Sequence, residues 1–266
     1  MNDDKNMSFL QHLEELRWRL VKCSIAIILC ATILFWYQKW IMDNIFLIML
    51  DNNFISFKLM CNWFGICTPP SPVEMQSMNV SGQFSYALWT SILGGIVVSS
   101  PFIFYQMWGF IRPAMKETEK RVMGGLVIYI SILFLLGILF GYFVVAPMTI
   151  QFFGNYQITD KIQNIFTIDS YMGMILSTIF YTGLFFLLPI ASFFLAKVGI
   201  ITSDFLKKYR KHAFVGVLIL AAVITPPDLI SQIIVAIPIA ILYEIGIIAA
   251  KRVENKRNND SLTNKS

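Results

Sequence analysis

Charged side chains are scarce in this sequence. Only 14% of its 266 residues are Asp, Glu, Lys or Arg, whereas a soluble globular domain carries about 25%. The deficit is concentrated in long uncharged stretches, among them residues 83–111 and 170–196. Hydrophobic residues make up 56% of the chain, and the mean hydropathy is +0.65. This composition excludes a soluble globular protein and predicts an integral membrane protein.

Other shortages remove several kinds of active site. The chain has only two histidines, His12 and His212, and both are too isolated to propose a metal site. It contains no Gly-rich phosphate loop, and no serine, histidine and acid arrangement emerges. We therefore expect a protein that is not an enzyme and that carries no cofactor or metal.

Six apolar segments follow one another along the chain. A hydrocarbon core of ~30 Å requires roughly 20 helical residues, which the first four segments supply. The fifth has only 14 residues, and the sixth is also short if Glu244 lies at the cytoplasmic edge of the membrane. We predict an all-α integral membrane protein with six transmembrane helices, of which the fifth and sixth are short. The segments are 21–40, within 83–111, 122 to about 146, 170–196, 212–225 and 229–250.

The distribution of positive charge sets the orientation of these spans. Of the 21 Lys and Arg residues, 18 lie in the N-terminal segment, in the second and fourth connections or in the C-terminal tail. Only Lys39, Lys58 and Lys161 lie on the other side. Because cytoplasmic loops are enriched in Lys and Arg, both termini are predicted to be cytoplasmic.

This topology predicts one six-span membrane domain over residues 1–254 and a flexible cytoplasmic tail over residues 255–266. The external loops are expected at about 41–82, 147–169 and 226–228. Cys61 and Cys67 share the first external loop, on the oxidising side of the membrane. A disulfide between them is compatible with this position, although the sequence does not establish it.

A short amphipathic helix over residues 8–20 precedes the first span. Ser8 is placed to cap it, and its apolar residues share one face at intervals of three and four. Glu14 and Glu15 lie off that face, where the cytoplasm meets the membrane. Two interpretations remain open: the carboxylates form a binding site, or Glu15 only makes a solvated i, i+4 pair with Arg19.

The hairpin of the two short helices carries polar groups in unusual places. The turn at residues 226–227 ends the fifth helix, and Asp228 is placed to cap the sixth. Gln232 is able to hydrogen-bond a partner helix or, alternatively, Thr225 across the hairpin. Glu244 is costly to bury and is therefore either interfacial or functional. A hairpin this short would thin the membrane locally, unless it is a re-entrant hairpin without a function.

Taken together, seven strings of this sequence resemble the TatC family, the multi-span receptor subunit of the Sec-independent, twin-arginine protein translocase. They run from the first helix to the last span, and their common order makes the resemblance specific. The strings are HLEELRWRL at 12–20, SPFIFYQMWGFIRP at 100–113, EKR at 119–121, FGYF at 140–143, TPPDLISQ at 225–232, AIP at 236–238 and LYEIG at 242–246.

The resemblance implies a receptor and core subunit in the bacterial inner (plasma) membrane. It would bind the twin-arginine signal peptides of folded precursor proteins at its cytoplasmic face and recruit single-span TatA/TatB-type subunits. The proton-motive force would drive export through a homo- or hetero-oligomer, with no nucleic acid as a partner.

The resemblance also assigns residues to two sites. Glu15 and Glu119 would bind the signal peptide, with Glu14 ranked behind Glu15, although on spacing alone Glu119 lies in an ordinary mixed-charge loop. The residues that match positions shaping this site are Arg17, Phe110, Pro113 and Arg121. Those that match partner-docking positions are Thr225, Asp228, Gln232 and Glu244.

One position departs from the family pattern. The family commonly has a glutamate in the fourth span, in the context FExP, whereas residues 186–189 read FLLP, with Leu187 in place of the acid. This departure leads to the hypothesis that the chain works with a single kind of partner subunit.

A proton- or ion-coupled transporter of a small solute is the alternative function. It would need polar or charged residues near the middle of the bilayer. The second to fourth spans contain no charged residue, which argues against this alternative.

Overall fold

The computed structural model describes residues 9–51, 53–64, 75–111, 124–159, 161, 164–198, 201–224 and 229–263. These residues are mostly helical, which confirms the predicted fold class. Among them, five helical stretches are long and apolar enough to cross a membrane: Gln11–Trp36, Gly82–Phe110, Gly125–Asn155, Ile168–Ala196 and Gln232–Arg252. The predicted fifth span is a helix of 15 residues, Arg210–Ile224, so the six-span topology stays a prediction.

The chain forms two compact units, Met1–Leu47 with Asn79–Ile132 and Ile48–Met78 with Leu133–Ser266. The elements in chain order are α1 (Phe9–Trp36), α2 (Gln38–Ile41), a π-helical turn (Met42–Phe46), a 3-10 turn (Leu47–Leu50), α3 (Ile55–Phe64), β1 (Met75–Gln76), α4 (Gly82–Ile111), α5 (Gly124–Phe140), a second π-helical segment (Gly141–Val145), α6 (Ala146–Asn155), β2 (Phe166–Thr167), α7 (Ile168–Phe185), α8 (Leu188–Val198), α9 (Ser203–Lys208), α10 (Arg210–Ile224) and α11 (Leu229–Thr263).

In the first unit, α1 and α4 pack against each other. They run antiparallel, since Arg19 lies beside Gln106, whereas Ile27, farther along α1, lies beside Gly95. A Cβ on Gly95 would lie only 2.9 Å from the carbonyl oxygen of Ile27. Small residues at such contacts let membrane helices approach closely.

The helix α4 continues through Pro101. A proline inside a helix removes the donor for the carbonyl four positions earlier, which here belongs to Val97. The hydroxyl of Ser100 donates to that carbonyl oxygen at 2.7 Å. A carbonyl freed inside the membrane is therefore satisfied within its own helix.

In the second unit, helices again approach each other at glycines. A Cβ on Gly137 of α5 would lie 2.8 Å from the Cα of Gly183 on α7. A Cβ on Gly246 of α11 would lie 3.2 Å from the Cβ of Ser192 on α8. A buried apolar cluster joins the hairpin of α10 and α11 to the second π-helical segment; its members are Val145, Val217, Ala221, Val235, Ala236 and Ile239.

The sequence predicts that the third span ends at about Pro147, but the helix continues to Asn155. The π-helical segment Gly141–Val145 shifts the hydrogen-bond register just before the proline. Pro147 follows this segment directly, at the start of α6. The first part of the predicted loop at 147–169 is therefore helix.

The last helix extends beyond the predicted sixth span. α11 runs for 35 residues and continues into the predicted tail at 255–266, so the short membrane-crossing part of this helix and the flexibility of the tail stay predictions. Glu254 ties this extension down, because its Oε2 accepts from the hydroxyl and the backbone N–H of Ser203 at 2.7 and 3.2 Å. A helix that is already nucleated elongates at low cost, which allows polar residues to continue it.

The first predicted external loop has structure of its own. It contains the π-helical turn Met42–Phe46, the 3-10 turn Leu47–Leu50, α3 and β1, and β1 pairs in parallel with β2, with Met75 opposite Phe166. This two-residue pairing is an exception to the all-α class. Cys61 on α3 is disulfide-bonded. Cys67 lies outside the described residues, so its pairing with Cys61 stays a prediction.

We expect Gly95→Ala to destabilise the protein by about 1–3 kcal/mol, because the added methyl group overlaps the backbone of α1. The control is Gly125→Ala, where a Cβ meets nothing within 4 Å. That change should be neutral or stabilising, since alanine favours a helix more than glycine does. The apparent Tm of the detergent-solubilised variants, followed by circular dichroism, measures both effects. Equal Tm values for the two variants would contradict a tight contact at Gly95.

Candidate functional site

Glu15 lies on α1, which runs unbroken from Phe9 to Trp36, so the predicted amphipathic helix continues into the first span. Arg19 lies one turn later on the same helix. Its Nε and Nη2 atoms donate to a single oxygen of Glu15, Oε1, at 2.9 and 2.5 Å. The i, i+4 pair that the spacing suggests is therefore formed.

Arg19 also connects α1 to α4. Its Nη1 atom donates to the backbone oxygen and to the side-chain Oε1 of Gln106, both at 3.3 Å. Gln106 is buried, and the side chains of Glu15 and Arg19 are each only 24% exposed. This shielding and the link to a second helix distinguish the pair from a solvated ion pair on a helix surface.

The second carboxylate oxygen of Glu15 accepts no hydrogen bond from Arg19. Oε2 is buried and has no hydrogen-bond partner within the part of the chain that the structure describes. A buried polar atom without a partner costs about 1–3 kcal/mol, and more when the group is charged. The carboxylate therefore has unused acceptor capacity for a cationic donor.

Phe110 and His12 place an aromatic pair next to this carboxylate. Their rings are stacked, with centroids 4.2 Å apart and planes 16° from parallel. Phe110 follows Gln106 by about one turn on α4, and His12 precedes Glu15 by about one turn on α1. The structure thus brings two of the predicted binding residues, Glu15 and Phe110, into one neighbourhood.

Glu14 and Arg17 lie on other sides of α1. Both are exposed, and the guanidinium of Arg17 lies 5.7 Å from the ring centroid of Trp18. The remaining predicted residues of this site lie outside the described ranges, as does the predicted helix cap: Pro113, Glu119, Arg121 and Ser8.

Sequence reasoning missed three residues of this arrangement. Gln106 is a buried amide in a charge-free stretch, and that isolation is the signal that would have pointed to it. Gly109 faces Arg19 so closely that a Cβ would overlap the Nη1 atom. His12 stacks on a ring, a role that a search for metal ligands does not detect. The described residues contain no group of three or more His, Cys, Asp and Glu that could hold a metal ion.

Gln232 lies near the start of α11, in the hairpin with α10. Its Nε2 atom donates to the backbone oxygen of Leu218 on α10 at 3.1 Å. This hydrogen bond supports the intramolecular interpretation of Gln232, with the backbone carbonyl of Leu218 as the acceptor. Thr225 and Asp228, the neighbouring residues predicted to dock a partner, lie outside the described residues.

Glu244 on α11 pairs with Arg210 at the start of α10. The Nε and Nη2 atoms of Arg210 contact Oε1 and Oε2 of the carboxylate, each at 2.8 Å, which is bidentate geometry. Beside this pair, the hydroxyl of Tyr243 donates to the carbonyl oxygen of Leu206 at 2.9 Å. The side chain of Glu244 is 46% exposed, so its charge is not buried. Its ion pair with Arg210 links α10 to α11.

Leu187 lies in a break between α7 and α8. Its carbonyl oxygen accepts from the backbone N–H groups of Ile190 and Ala191, both at 3.0 Å. Its side chain is half-buried. Leu187 therefore lies where the fourth span is interrupted, and it brings no charge there.

These features define a membrane protein with several helical spans and a half-occupied carboxylate near the start of its first helix. The profile of the family described as "Sec-independent protein translocase protein (TatC)" matches residues 11–238. The chain belongs to the TatC family.

Individual relatives cover almost the whole chain. The Sec-independent protein translocase protein TatC of Blattabacterium sp. subsp. Periplaneta americana is 38% identical, over 97% of this chain and 100% of its own. The TatC protein of Helicobacter pylori is 38% identical over 94% of each chain. A crystal structure of the twin-arginine translocase receptor TatC in DDM matches with a TM-score of 0.71 at 30% identity, over 90% of this chain and 99% of that one.

Membership of this family makes the chain a component of a protein translocase and a multi-pass protein of the bacterial inner (plasma) membrane. The family is one of transport proteins rather than enzymes. The alternative of a small-solute transporter gains no support from these relatives.

We expect Glu244→Arg to lower the apparent Tm in detergent, because two guanidinium groups would then face each other. Exchange of both charges, Glu244→Arg with Arg210→Glu, should recover most of the loss, which is on the order of 1 kcal/mol for a partly exposed pair. Lys211→Glu changes an exposed charge on α10, the helix of Arg210, and serves as the control. A double variant that is no more stable than Glu244→Arg alone would argue against a stabilising ion pair between Arg210 and Glu244.

Proposed function

We propose that this chain is the receptor and core subunit of a twin-arginine translocase. It binds the twin-arginine signal peptides of folded precursor proteins at its cytoplasmic face. The observation that carries the proposal is the carboxylate of Glu15, which is held in place by Arg19 and keeps one buried oxygen without a partner among the described residues. The likeness to solved twin-arginine translocase receptors supports it.

A guanidinium group suits this carboxylate. Its planar fork of N–H donors matches carboxylate oxygens, whereas the ammonium group of lysine is a strongly hydrated point charge. Paired arginines require two acceptors, and the family resemblance supplies Glu119 as the second, with Glu14 ranked behind Glu15. The other residues of the proposed site are Arg17, Phe110, Pro113 and Arg121.

Single-span TatA/TatB-type subunits dock on the hairpin of α10 and α11. The amide of Gln232 bonds a backbone carbonyl there, and a polar side chain of a partner helix can take over that bond. The other proposed docking residues are Thr225, Asp228 and Glu244. Because Leu187 supplies no acid in the fourth span, one kind of partner subunit is sufficient.

The proposed topology has six spans with both termini in the cytoplasm. α10 has 15 residues, which extend over roughly 22 Å, less than the ~30 Å of the hydrocarbon core. The bilayer beside this helix therefore becomes thinner. Folded cargo crosses through a pore or this weakened bilayer, driven by the proton-motive force, in a homo- or hetero-oligomer.

Photo-crosslinking of a twin-arginine signal peptide in membranes tests the receptor site. Glu15→Gln and Glu119→Gln should each reduce the crosslink about tenfold, because each removes a charge-assisted pair. Asp204→Asn changes an exposed acid on α9 and should keep the crosslink. A twin-lysine peptide should crosslink weakly to the wild type. An unchanged crosslink in both glutamine variants, at normal protein level, would move recognition to Glu14 or to Glu117, the glutamate two residues before Glu119.

Reconstitution tests the number of partner subunits. In energised vesicles, this chain with one kind of single-span subunit should export a folded precursor that carries a twin-arginine signal. Gln232→Leu should reduce export, because it removes the amide at the docking hairpin. Export that appears only when two kinds of subunit are supplied would overturn the single-partner hypothesis.

A further inference from the structure

We infer that Arg19 is a positioning residue for the signal-peptide site. Anchored to α4 through Gln106, it holds the Glu15 carboxylate so that Oε1 is occupied and Oε2 is offered to an arginine of the peptide. The inference rests on the proposed function, since it concerns the same carboxylate. It adds that Arg19 sets the orientation of the Glu15 carboxylate.

The donors of Arg19 are divided between two helices. Nε and Nη2 both contact one oxygen of Glu15, whereas Nη1 contacts the two oxygens of Gln106. In the bidentate pair of Arg210 with Glu244, by contrast, Nε and Nη2 contact the two carboxylate oxygens separately. The contacts of Nη1 with α4 fix the orientation of the Arg19 guanidinium, and in this orientation Nε and Nη2 both meet Oε1, so Oε2 has no partner in the described part of the chain.

Gly109 makes room for this guanidinium. A Cβ at this position would overlap Nη1 and would lie 2.8 Å from Cζ of Arg19. Gly109 lies inside α4, where glycine is disfavoured relative to alanine, so its presence calls for a reason. That reason is the side chain of Arg19, which a larger residue would push away from Gln106.

The opposite role, in which Arg19 competes with the peptide for Glu15, fits these contacts less well. A competitor must leave the carboxylate when the peptide binds. Arg19 instead has two further acceptors on α4 and is mostly shielded from water. The two roles predict opposite effects, because loss of a positioning residue weakens peptide binding, whereas loss of a competitor strengthens it.

The test measures the dissociation constant of a labelled twin-arginine signal peptide for the full-length protein in lipid nanodiscs. Gln106→Met keeps the size of the side chain but removes its acceptor. We expect it to weaken binding about tenfold, the effect of one hydrogen bond to a charged group. Gln106→Glu keeps an acceptor for Nη1, so its affinity should remain within about twofold of the wild type.

Gln38→Met is the matched control. Gln38 on α2 also makes a polar contact with α4, since its Oε1 accepts from the hydroxyl of Ser91 at 3.3 Å, but this contact is remote from Glu15 along α4. It should lower the apparent Tm as Gln106→Met does and leave the peptide affinity unchanged. Gly109→Ala should weaken binding, because it displaces Arg19.

Four outcomes would overturn the inference. Wild-type affinity in both Gln106→Met and Gly109→Ala, with Glu15→Gln still defective, would remove the positioning role and leave the receptor function intact. Tighter binding in Gln106→Met would make Arg19 a competitor. Wild-type affinity in Glu15→Gln, or no binding to the wild type, would overturn the receptor function and the positioning role together.

Discussion

The hydrocarbon core offers no water, so the polar groups of the spans must find partners within the protein. The hydroxyls of Thr90 and Ser99 do this locally, because each donates to the carbonyl four residues earlier in its helix. Arg19 has five N–H donors and draws on Glu15 and on Gln106 of a second helix. Oε2 of Glu15 is also buried, and because it has no hydrogen-bond partner among the described residues, it keeps unused capacity as an acceptor.

Close packing of the helices follows from the same environment. Lipid tails are as apolar as leucine, so helices associate through van der Waals contact and hydrogen bonds rather than through the hydrophobic effect. Gly95 and Gly183 serve this purpose by letting neighbouring helices approach. Gly109 uses the same property differently, because it admits a charged side chain between two helices. The packing of the helices and the geometry of the candidate site therefore both depend on glycines at helix contacts.

A proline does not by itself locate the end of a helix. Pro147 predicts the end of a span, but a π-helical segment precedes it and the chain stays helical to Asn155. Pro101 lies inside α4, where the hydroxyl of Ser100 donates to the carbonyl oxygen that the proline leaves without a backbone donor. The register of the hydrogen bonds and the nearby hydroxyl donors decide whether a helix continues, and a local pattern that contains only the proline does not include them.

The membrane class, most of the long spans and the family resemblance follow from the sequence alone, and it offers the pairing of Glu15 with Arg19 as one of two interpretations. These inferences use hydropathy, motif order and helical spacing, which are local properties of the chain. The packing of the helices shows that Arg19 pairs with Glu15, that Gln106, 87 residues from Arg19 in the sequence, completes that pair, and that Arg210 faces Glu244. Such contacts depend on how whole helices pack against one another, and no local pattern of residues encodes that packing.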